Sequence, residues 1–190
     1  MKNVLKLFIV LSAALAAGCS AATKLGIPEM LIPSNYAKSP AFDLKPVWRL
    51  AVLPATGRTT SIGQAANLSD YAGMALLRTG RFSVVDRTAV DQILREQEFS
   101  YSGVVDQATA VSLGRLLGAE AVMMITVAGI THDDFWSDMP EQREAELYVK
   151  IISVETSEVL YSAVGQGSDF NGAEGALRSA METALWGINR

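Results

Sequence analysis

Arg49-Leu50-Ala51-Val52-Leu53-Pro54 is a short apolar run closed by proline, the pattern of a buried strand. Leu68, Tyr71, Ala72, Ala75, Leu76 and Leu77 follow at helical spacing as far as Gly80, and Phe82-Ser83-Val84-Val85-Asp86 returns to a strand-like run. Strand, helix, strand is the beginning of an α/β fold. Thr88 with Asp91 three residues on makes a capping-box start, and Val90, Ile93 and Leu94 mark one face of a helix running to about Glu98. Asp106 can cap a further helix, which Ala110, Leu113, Leu116 and Leu117 carry to a stop at Gly118.

Beyond it, Ala121 to Ala128 is almost continuously apolar, as suits a central strand covered on both faces. Ala145, Leu147, Val149 and Ile151 alternate with Glu146, Tyr148 and Lys150, and Val159 to Val164 returns after Glu155-Thr156-Ser157-Glu158, which predicts a β-hairpin. Asn171 and Glu174 can cap a last amphipathic helix with Ala176, Leu177, Ala180, Met181, Ala184, Leu185 and Ile188 on its apolar side. The fold class is α/β, a single domain over residues 48–190 with a mixed sheet of about five strands flanked by helices.

Towards the other end, Pro28, Pro33, Pro40 and Pro46 interrupt a stretch without helical or strand period, so residues 19–47 read as a tether. Ile27, Met30, Leu31, Ile32, Tyr36 and Phe42 make it more apolar than a free linker requires, which lets it wrap the domain or a neighbouring subunit. Residues 1–18 read as an export signal: Lys2 and Lys6 give a positive start, Val4 to Ala17 is almost wholly apolar, and Ala16-Ala17-Gly18 leads into Cys19. That apolar stretch is shorter than the roughly 20 residues a spanning helix needs. Cys19 is the chain's one cysteine, so no disulfide can form within the chain, and it sits where acylation would make it the lipid-bearing first residue. An anchor of several acyl chains, palmitate among them, is the only covalent group this implies; no other cofactor is expected. Ser20, where an aspartate would resemble an inner-membrane retention signal, places the chain on the periplasmic face of the outer membrane.

Removing residues 1–18 takes away two lysines and shifts the formal charge from −4 to −6, which argues against a nucleic-acid partner. Half of the chain is hydrophobic by count (49%), enough for one core.

Four runs resemble the curli-assembly and holdfast-anchoring outer-membrane lipoprotein family, CsgG/HfaB. They are Arg81 to Arg87, Ile93 to Gln97, Ser102 to Asp106 and Gly114 to Glu120, and the hairpin and Ser179 to Ala184 fit the same pattern. The resemblance implies a periplasmic α/β domain that assembles into homo-oligomeric rings and helps export or anchor surface fibres, without catalysis. Members that form a secretion pore insert two long amphipathic hairpins, each needing about twice the 9 to 11 residues of a membrane strand. Here the corresponding places hold only Ile130 to Arg143 and Gly165 to Gly172, so the chain reads as a short member without pore hairpins. The alternative is a related family of tethered lipoproteins that activate penicillin-binding proteins in peptidoglycan synthesis.

Catalytic signals are weak. His132-Asp133-Asp134 with Asp138 offers metal-type donors, but adjacent residues rarely converge on one ion, so no metal is expected. There is no G-x-S-x-G elbow, phosphate loop or H-E-x-x-H. Gly165-Gln166-Gly167 lacks the third glycine of a dinucleotide loop and reads as structural. Phe135 and Trp136, two large aromatics in an acidic loop, are candidates for holding an envelope protein partner if they do not pack on their own domain. Asp86 and Arg87, between a strand and a helix, suit turn and cap chemistry or a subunit contact.

Overall fold

Leu50, Ala51 and Val52 are all buried, as they must be in a strand with helices on both faces. The computed structural model describes residues 35–57, 62–97, 106–132, 142–170 and 172–190. In chain order these form β1 (Tyr36–Lys38), α1 (Pro40–Asp43), β2 (Trp48–Val52), β3 (Thr56–Gly57), α2 (Ile62–Arg78), β4 (Phe82–Val84), α3 (Arg87–Glu96) and α4 (Gln107–Leu116). Then come β5 (Ala121–His132), β6 (Arg143–Ser153), β7 (Val159–Asp169), α5 (Ala173–Leu185) and a 3-10 turn, Trp186–Asn189. The fold is α/β with a mixed sheet in the order β1-β7-β6-β5-β2-β4, β3 pairing separately with β5. Leu50 of β2 lies opposite Val84 of β4 on one side and Ala121 of β5 on the other, both parallel. The β5-β6-β7 meander and β1 are antiparallel.

The sheet has seven strands where the sequence suggests about five. The additional ones, β1 and β3, are three and two residues long, too short to show a period. The expected strands also run further, to His132 in β5 and Asp169 in β7. In β5 the register shifts between Val127 and Gly129, and this bulge breaks the apolar run without ending the strand.

Folded structure enters the stretch read as tether. Asn35 donates through Nδ2 to the carbonyls of Val164 (2.9 Å) and Thr183 (3.0 Å), tying the chain to β7 and α5. The compact unit therefore begins at Asn35 and not at Trp48. Ser39 caps α1 by accepting from Ala41 N, Pro40 fills the first turn, and Phe42 is fully buried against Phe82 and Tyr161 at 6.0 Å each.

Two cores result. On one face α1, α2 and α5 cover the sheet with Phe42, Leu68, Leu76, Leu177 and Met181; on the other, α3 and α4 bring Val90, Leu94, Ala110 and Leu113 onto Ala51, Leu53 and Val122. Over β6 this second face is open: Ala145, Leu147, Val149 and Ile151 are buried, while Glu144, Tyr148 and Lys150 are exposed, the alternation read from the sequence. Gly80 (φ 70°) follows α2 and Gly118 (φ 61°) follows α4, in the left-handed conformation that stops a helix.

Gly165 and Gly167 set how closely α5 lies on β7. A Cβ at Gly165 would stand 2.0 Å from the Ala180 carbonyl oxygen, and one at Gly167 would stand 2.2 Å from Ala180 N. The Gly-x-Gly pair is thus a backbone-to-backbone packing device. Two cap expectations are corrected. The cap of α3 is Asp86 and not Thr88, because Asp86 keeps strand-like backbone angles (φ −58°, ψ 134°) and its carboxylate accepts from Thr88 N. The cap of α5 is Gly172, with no side-chain bond; Asn171 lies outside the described residues.

Candidate functional site

Of the residues singled out in the sequence, Asp86 and Arg87 are the pair whose surroundings the structure describes; Cys19, Phe135 and Trp136 lie outside the described residues. Beyond Val84 the chain leaves the sheet, with Val85 N donating to Leu50 O at 2.8 Å, and turns into α3 at Asp86. Asp86 accepts from Thr88 N at 2.8 Å, and these Thr88 bonds hold its carboxyl below the usual aspartate range. Arg87 reaches back across to α2. Its Nη1 lies 2.9 Å from Asp70 and donates to Ala66 O at 2.6 Å, while Nε stands 3.4 Å from Asp91 one turn along α3. Burial works against the guanidinium charge, but Asp70 and Asp91 outweigh it and raise its pKa. The pair therefore performs cap chemistry and also clips α3 to α2.

Between those helices a groove of about 310 Å³ opens along β4, the outermost strand on this side of the sheet. Gly73, Met74, Leu77, Val84 and Val85 line its apolar part, and Asp70, Asp86, Arg87 and Asp91 its polar end. Met74 is 50% and Leu77 53% exposed. Helical spacing in the sequence assigns Leu77 to the buried face, which the structure corrects, and it gives no signal for Met74. The legible sign was a methionine set between two apolar turns.

At the opposite edge, Trp186 is 52% exposed, stands edge-on to Tyr36 of β1 (6.1 Å, 69°), and carries the Arg190 guanidinium 3.7 Å over its ring. Lys38 bonds the Arg190 carbonyl and pairs with Asp43 (3.0 Å), which also pairs with Arg81 (2.7 Å). The bond from Arg81, then that from Lys38, lowers the pKa of Asp43. None of these residues carries a site signal in the sequence.

A third recess, about 570 Å³, lies on the open sheet face among Gly129, Thr131, Glu144, Glu146, Gln166 and Ser168. Glu146 accepts from Gln166 (2.8 Å) and Tyr148 (2.9 Å), which lowers its pKa. Among the described residues no three His, Cys, Asp or Glu side chains form a group that could hold a metal ion. Asp133, Asp134 and Asp138 lie outside them. No described helix is long and apolar enough to cross a membrane.

Residues 47–133, which carry β2 to β5 and the β4 groove, match the family described as the curli production assembly/transport component CsgG. Among solved structures the chain is similar to a point variant of the PelC dodecamer from Paraburkholderia phytofirmans: TM-score 0.55, 14% identity, covering 81% of this chain and 96% of that one. It is also similar to lipoprotein GNA1162 from Neisseria meningitidis (TM-score 0.53, 13% identity, 73% and 94% covered). Escherichia coli LpoB shares the fold at TM-score 0.50 and 20% identity, with 64% of this chain and 58% of that one covered. At these identities the likeness is one of fold. No curated protein sequence matches the chain significantly.

Proposed function

We propose a role that follows from what the chain is, a CsgG-like family member matched over residues 47–133: a non-catalytic lipoprotein that serves as an assembly or anchoring factor for a cell-envelope or surface structure. It is held on the periplasmic face of the outer membrane by lipid on Cys19 and works as an assembly of several copies. The observation that carries this reading is the way the meander closes. Ten residues, 133–142, join β5 to β6, and three, 170–172, join β7 to α5. A membrane hairpin needs about twice 9 to 11 residues, so neither place can hold one, and the domain scaffolds rather than opens a pore there.

Metabolic labelling with palmitate and separation of the two membranes test the anchor. The wild-type chain is expected to take up label and to travel with the outer membrane, and Cys19→Ala to lose both. An unlabelled wild-type chain in the soluble periplasm would defeat the anchoring role. In planar bilayers the purified chain is expected to give no conductance steps; stable steps would defeat the scaffold reading.

A further inference from the structure

The two exposed apolar features already described sit at opposite ends of one sheet. The groove runs along β4 and Trp186 stands edge-on beside β1, the last and first strands of the order. We infer that they are the two halves of one contact: Trp186 of one copy seats in the β4 groove of the next. This rests on the reading that the chain works as an assembly of copies, and it goes further by naming the surfaces.

Three observations point to a second copy as the occupant. First, the two charge balances are opposite in sign. The groove's polar end has three acids (Asp70, Asp86 and Asp91) to one base, Arg87. The Trp186 flank has two bases (Lys38 and Arg190) to one acid, Asp43. Second, Trp186 is preorganised. Tyr36 holds one edge and Arg190 covers one side, and a Cβ at Gly187 would stand 2.4 Å from the Tyr36 ring, so the turn is pressed onto that ring. A rigid half-exposed tryptophan loses little freedom on docking and suits an anchor role. Third, among the described residues no strand pairs with the outer edge of β4 beside Met74 and Leu77, an arrangement that proteins normally cover. Because knob and groove differ, the contact is head-to-tail; each copy offers one of each, and the series ends only by closing on itself.

The test uses the full chain purified in detergent, with mass measured by light scattering. The wild-type chain is expected to be a multimer. Trp186→Ala and Leu77→Glu are each expected to be monomers with unchanged circular dichroism, since both positions are half-exposed. Mixed one to one, each variant supplies the half the other lacks, so a two-chain species and nothing larger is expected. Arg190→Glu leaves the Trp186–Tyr36 contact in place and is expected to raise the dissociation concentration roughly tenfold, the size of a charged hot-spot loss. Variants that keep the wild-type mass, or that stay monomeric when mixed, would overturn the proposed seat while a multimeric wild type left the assembly reading standing. A wild type that is monomeric at every concentration would overturn both.

Discussion

Replacing Gly167 with alanine tests the packing of α5 on β7. The new Cβ would lie 2.2 Å from Ala180 N, 2.6 Å from the Ser179 carbonyl carbon and 2.7 Å from the Ala176 carbonyl oxygen. All three are backbone atoms of one helix, so no side chain can swing aside. Reaching an ordinary contact of 3.4 Å at the nearest atom means lifting α5 by about 1.2 Å (3.4 − 2.2). Ala176, Leu177, Ala180, Met181 and Ala184 are buried on the underside of α5 and would all be loosened. Overpacking costs roughly 1–3 kcal/mol, and the unyielding contact puts this case in the upper half. Alanine in a strand recovers roughly 0.5–1 kcal/mol of chain entropy, so the net loss is about 2 kcal/mol. With a urea slope of about 1–3 kcal/mol/M, the midpoint is expected to fall by roughly 1 M. Gly129→Ala is the control, because nothing lies within 4 Å of its added Cβ, and it is expected to stay within about 0.5 kcal/mol of wild type. Equal midpoints for the two variants would show that α5 does not rest on the β7 backbone.

Ser69 is 6% exposed; its hydroxyl accepts from Ala55 N at 3.0 Å and faces the carbonyls of Ala65 (2.9 Å) and Leu53 (3.2 Å). Ser69→Ala strands a buried N–H and should cost about 1–3 kcal/mol in a denaturant melt; a loss below about 0.5 kcal/mol would mean that water replaces the hydroxyl. Asp43 has its pKa lowered below 3.8 by Arg81 and then Lys38, so its contribution is present above the unfolded value and fades as pH falls through the folded one. The stabilities of wild type and Asp43→Asn should therefore differ at neutral pH and converge below about pH 4; a constant gap down to the acid transition would remove that ion pair from the balance.

What the sequence reveals and what it hides divide along physical lines. β2, α2, α4 and the β6–β7 hairpin are readable because each buries a defined set of side chains at a fixed period, and Gly80, Asp106 and Gly118 punctuate them. β1 and α1 are too short for a period, although Ser39-Pro40 is a cap followed by a first-turn proline and could have located α1. The α3 cap falls two residues before its expected place because Asp86 and Thr88 are both good capping types, and only the backbone angles decide between them. Site residues are harder to read. Asp86 and Arg87 stand out from their place between strand and helix, but Met74 and Trp186 draw attention only through their exposure on the folded surface, which a helical period does not encode.

The absolute mass of the chain from Ser20 to Arg190, made without lipid and measured across a range of concentrations, bears most directly on the proposed assembly. A closed multimer of defined copy number, unchanged on dilution over a wide range, is expected. A strict monomer at all concentrations would refute a self-assembling scaffold and turn attention to the tethered activator of a penicillin-binding protein.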